Sequence, residues 1–141
     1  MALRANDAYG EGNIDEQVLR EYYLTIAMAK VSTSGHEAYD LKILRPGRDE
    51  VVVNPQRVIT DAKRAVLEMS SEGYTQPIPR KDIKVLGRSG MGMFYAGAHA
   101  MMSGNFISAH DQLISQKLAT VMCGGDLSAP TLVSEQYLLD L

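Results

Sequence analysis

The apolar positions of this chain recur mainly at helical spacing, in runs bounded by residues that start or stop helices. In NIDEQVLREYYLTIAMAK, residues 13–30, Val18, Leu19, Tyr22, Tyr23, Ile26 and Ala27 make the stripe of an amphipathic helix. Asn13 is its predicted cap, with Asp15 and Glu16 in the first turn, where unpaired backbone N–H groups favour acidic side chains. Ser34 followed by Glu37 predicts a capping box, opening a short helix with Ala38 and Leu41 inward. Pro46-Gly47 predicts a turn, and Val51, Val52 and Val53 a short buried strand or extended edge. Asn54-Pro55 restarts a helix, since proline at the first helical position loses no bond. Its Val58, Ile59, Ala62, Ala65, Val66 and Met69 are predicted inward, and Gly73 ends it.

Pro77 and Pro79 then forbid helix and favour a semi-rigid crossing, which marks a subdomain boundary. Beyond it, SGMGMFYAGAHAMMSG predicts a helix with Met91, Phe94, Ala98 and Met101 on one face. Gly90, Gly92 and Gly97 each cost such a helix up to about 1 kcal/mol against alanine, so a neighbouring backbone is expected to approach there. Gly104 is the predicted stop. Ser108 with Asp111 resembles a capping box, and Leu113, Ile114, Leu118, Val121 and Met122 form the predicted inner side of the next helix. Gly124-Gly125 stops it. Ser134 caps a last helix, EQYLLDL, which lacks a C-cap signal and is expected either to dock or to be cut short. The fold class expected is mainly α, with about six helices and one short extended segment. Residues 1–13 are expected to form a loose lead-in, in part of vector origin. Residues 14–76 form a first helical part, 77–87 the proline-rich crossing and 88–141 a tail subdomain.

Composition changes this picture little. A chain of 141 residues is one domain's worth, burying roughly two-thirds of its unfolded surface. The net charge of −3 comes from interspersed signs, without the basic stripe that phosphates require, so nucleic acid is not an expected partner. A single cysteine, Cys123, excludes an internal disulfide framework and suits a reducing compartment. No apolar run reaches the roughly 20 residues of a membrane span, and the first residues lack a secretory core, so the cytoplasm is expected. Eight Met and seven Tyr beside two Phe and no Trp make the large apolar groups soft, as core filler or as a surface that meets another domain.

Candidates for chemistry are few. His36, His99 and His110 lack an acidic or histidine partner at metal-binding spacing and are expected at the surface. His110 and Asp111 are adjacent, so on a helix they do not face each other. Cys123 sits at a helix C-terminus, where the dipole disfavours a thiolate, and is expected as a packed thiol. Gly87, Gly90, Gly92 and Gly97 match neither the dinucleotide nor the P-loop spacing. Asp15 with Glu16 and Asp49 with Glu50 read as solvated acids, and Lys117 as a solvated helix lysine. No catalytic, cofactor-binding or metal residue is therefore assigned.

Two segments carry a family resemblance: IAMAKVSTSGHEAYDLKILRP, residues 26–46, and ISAHDQLISQKLATVMCGGDLSAPTLVSEQYLLDL, residues 107–141. Together they resemble the C-terminal portion of bacterial bifunctional 3-hydroxyacyl-CoA dehydrogenase/enoyl-CoA hydratases, so residues 14–76 would be crotonase-like C-terminal helices. The resemblance implies fatty-acid β-oxidation in a parent that uses NAD and acyl-CoA, with its dehydrogenase and crotonase domains upstream as partners. The family's catalytic residues map onto no position here, so this part alone is expected to be inactive, to pack against those domains and to self-associate. Lys42 stands where the family pattern often has glycine, so that helix end is expected to strain by roughly 1 kcal/mol or to end differently. The alternative is a stand-alone helical module binding an acyl chain or a partner helix; a self-contained hydratase has little support.

Overall fold

A computed structural model describes residues 1–9 and 14–141. The chain forms two compact units: residues 1–30 with 79–141, and Val31–Ile78 inserted between them. The described residues are mainly helical, as the apolar spacing implies, with seven α-helices and two short strands among them.

Unit 1 begins with a correction. Residues 2–9, expected as loose lead-in, form helix α1, Ala2–Tyr9. Ala2 and Ala5 are buried, small enough to let α1 lie close on the elements beneath it. The predicted cap Asn13 and the glycines Gly10 and Gly12 lie outside the described residues. Helix α2, Glu16–Ala27, takes its N-cap from Asp15, whose carboxylate accepts the Val18 amide at 3.0 Å. The predicted stripe holds: Leu19, Tyr22 and Tyr23 are buried and Val18 and Ala27 pack beside them, with Ile26 left at the margin.

The proline-rich crossing hides a strand. β1, Ile83–Val85, pairs antiparallel with β2, Thr131–Val133, in the register Ile83 to Val133 and Val85 to Thr131. Both strands are too short to show an alternating pattern, and β2 had no strand signal beyond Thr131 and Val133. Helices α5, Arg88–Ser103, and α6, Ala109–Cys123, pack against each other, and α6 also packs on α2. Phe94 meets Tyr23 with ring centroids 4.2 Å apart. Gly90 is a site of close approach, by side chains rather than by the neighbouring backbone expected, because a Cβ there would lie 2.6 Å from Leu86 Cβ and 2.9 Å from the Cys123 sulfur. Gly92 and Gly97 are not; each faces open space.

The inner face of α6 also differs from expectation. Ser115, Ala119, Met122 and Cys123 are buried, whereas Leu113, Ile114 and Val121 are exposed. Of the predicted inner residues Met122 is buried and Leu118 packs partly against the core, while small Ser115 and Ala119 take the other inward positions because the helices approach closely there. The Ser108–Asp111 capping box is present with both reciprocal bonds, at 3.1 and 3.0 Å, so aspartate suffices where glutamate is usual. Ser134 caps the last helix, α7, Glu135–Leu139, by accepting the Tyr137 amide at 3.1 Å.

Unit 2 contains helix α3, Gly35–Asp40, a 3-10 turn at Pro55–Arg57, and helix α4, Val58–Glu72. Ser34 caps α3 as predicted, but Glu37 reaches back to the Thr33 amide at 2.6 Å rather than to Ser34. Asn54 starts the 3-10 turn and Pro55 is its first residue. Val51–Val53, predicted as a strand, is irregular; Val51 packs on Gly35, where a Cβ would meet it at 2.7 Å. A strand requires a ladder partner, and among the described residues of this unit there is no strand to supply one.

Helix α4 forms where predicted, yet its apolar side is not inward. Ile59 is 83% exposed, Val66 63% and Met69 62%, and Val58, Ala62 and Leu67 are exposed as well. The buried residue of α4 is Asp61, at 8%. Arg57 and Arg64 reach its Oδ1 at 3.3 and 3.4 Å, so the charge is matched by two arginines. Periodicity identifies which side of a helix is apolar; it carries no information on whether an element exists to cover it.

Candidate functional site

Two apolar surfaces and one ionic clamp are the most distinctive features. In unit 1, Met1, Leu3, Ile26, Leu118, Val121, Leu138 and Leu139 line an open groove of about 570 Å³, with Glu135 as its one acidic neighbour. The helices position these side chains: α2 contributes its margin residue Ile26, α6 the aliphatic side that turned outward, and α7 the face held by the Ser134 cap. Such a surface can exclude water from an apolar partner and can do no bond chemistry. In unit 2 the bare side of α4 has the same property.

The clamp joins the start of α5 to the loop after α6. Gly87, at φ +64°, donates its amide to the Cys123 carbonyl at 2.8 Å, and the Arg88 amide donates to Leu127 O at 2.9 Å. The Arg88 guanidinium then grips the Asp126 carboxylate with both limbs, Nη2 lying 3.0 Å from Oδ2 and Nε bonding Oδ1. This bond holds the Asp126 carboxyl below its usual range and raises Arg88 further. Two backbone donors at the start of α5 are thus taken by protein carbonyls, so this glycine-rich turn serves packing rather than a phosphate. The pair is 38 residues apart in sequence, and no local signal would have revealed it.

Within each unit the groups singled out in the sequence are exposed or held singly by their own neighbours. His36, His99 and His110 are exposed, and His99 Nδ1 has Gln112 Nε2 at 3.5 Å. Lys117 is exposed on α6. Cys123 is fully buried against Gly90, and burial pushes its thiol up to about 12, so it is a packed thiol as expected. Tyr23 is likewise raised by burial, against which a hydrogen bond with Ser115 acts. Asp49 accepts the Arg45 amide at 2.7 Å and closes the Pro46-Gly47 turn. Among the described residues, no three His, Cys, Asp or Glu side chains converge to hold a metal. Among them too, no helix is long and apolar enough to cross a membrane.

The described residues thus form a mainly helical region with exposed apolar side chains, and among them no His, Cys, Asp or Glu cluster is gathered to hold a metal. Comparison with known proteins gives it a relative. Over 117 residues, 83% of this chain, it is 39% identical to a protein of Bacillus subtilis (strain 168) described as a probable 3-hydroxyacyl-CoA dehydrogenase. The matched part spans only 15% of that protein's length. No known protein family matches the chain, and no solved structure matches it. The chain is related to part of a dehydrogenase of this description. The hydratase side of the expectation, and the crotonase-like fold, rest on residues 26–46 and 107–141 alone.

Proposed function

We propose that this chain corresponds to a helical contact region of a larger fatty-acid β-oxidation enzyme, one that oxidises 3-hydroxyacyl-CoA with NAD and hydrates enoyl-CoA. The observation that carries the reading is the 39% identity to the described dehydrogenase over most of this chain and a small part of that one. The uncovered side of α4 and the groove of unit 1 support it, because monomers rarely leave contiguous apolar surface of this kind exposed without a partner. In this reading NAD and acyl-CoA are held elsewhere in the enzyme. The partners of these helices are its dehydrogenase and crotonase domains, in the cytoplasm, and nucleic acid is not among them.

The chain alone is then inactive and self-associates. Purified chain should neither hydrate crotonyl-CoA nor reduce NAD with 3-hydroxybutyryl-CoA; turnover in either assay sinks the proposal. An antibody raised against it should detect, in cells of the source organism, a band several times larger than 15.5 kDa. The double variant Ile59→Ser, Val66→Ser should reduce dye binding and association while leaving stability within about 0.5 kcal/mol, as expected of exposed positions. A second reading is a small module for an acyl chain or partner helix, favoured by the groove of about 570 Å³. A band near 15.5 kDa together with saturable binding of an acyl-CoA would favour it.

A further inference from the structure

We draw no further inference here: the strongest candidate, the apolar groove that Leu3, Ile26, Leu118, Val121 and Leu139 line in unit 1, carries nothing, because nothing in the structure shows whether an acyl chain, a helix or a second copy covers it.

Discussion

Replacing Lys42 with glycine should stabilise unit 2. Helix α3 ends in a Schellman motif: the Lys42 amide donates to Tyr39 O and the Ile43 amide to Ala38 O, both at 2.9 Å. Lys42 occupies the left-handed position at φ +58°, which is the strain expected where glycine is missing. That conformation costs a residue with a Cβ about 1–2 kcal/mol. Glycine escapes this cost but loses more chain entropy on folding, about 0.5–1 kcal/mol, leaving a net gain of roughly 0.5–1 kcal/mol. Lys42→Ala is the necessary control, since it removes the side chain and its interactions while keeping the Cβ. The two units need not unfold together, so a single melting temperature is a blunt reading. Amide exchange at Ile43 and Leu44, which both donate to Ala38 O, reports the motif directly. Exchange there should be about 2–5-fold slower in Lys42→Gly than in Lys42→Ala. Equal or faster exchange in the glycine variant would refute the assignment of strain to this residue.

Other expectations follow from the same geometry. Gly124→Ala should destabilise unit 1 by more than about 2 kcal/mol, because the site is left-handed at φ +80° and a Cβ would lie 2.4 Å from Val85 Cγ2. Gly92→Ala, by contrast, should stabilise by up to about 1 kcal/mol, since that Cβ meets open space on a helix; urea titrations of the pair test both. Asp126 has a carboxyl pKa lowered from 3.8 in the folded chain by Arg88, so its contribution is present above that value and is lost as pH falls through the folded one. Asp126→Asn should accordingly flatten the decline of stability below about pH 4, and an unchanged decline would show the clamp to be inert. Cys123, with its thiol near 12, should have about one molecule in ten thousand ionised at pH 8 and should react with a disulfide reagent only on unfolding; prompt labelling of native protein would contradict its packing.

Much of the helical skeleton was legible because it rests on local signals. Ser34, Ser108 and Ser134 each cap the helix predicted for them, as a cap depends on the amide three residues on, while Asn54 caps a 3-10 turn through the Gln56 amide and α4 follows at Val58. Helix ends were less legible. Four end in the Schellman arrangement, but only the one after α6 places glycine, Gly124, in the left-handed position; Ala29, Lys42 and Asn105 fill it in the others. Gly104, predicted as a stop, has φ −82° and leaves the turn to Asn105. Pairing at long range was not legible: Arg88 and Asp126 are 38 residues apart and β1 and β2 pair from Ile83 to Val133, and pattern within a window of a few turns cannot see such partners. Apolar residues on α4, and Leu113 and Ile114 on α6, showed where hydrophobic surface lies without showing what it meets.

The insertion of residues 31–78 sets an order of events during synthesis. The α6 residues that helix α2 packs against, as far as Cys123, leave the ribosome about 5–20 s after α2 itself. Until then Leu19, Tyr22 and Tyr23 have no α5 or α6 to bury them. Joining the two halves of unit 1 also closes a loop over the whole insertion, a loss of about 3 kcal/mol in chain entropy. The partners of residues 1–30 within unit 1 are thus made only after the whole insertion, which leaves the apolar side of α2 uncovered while residues 31–78 are synthesised.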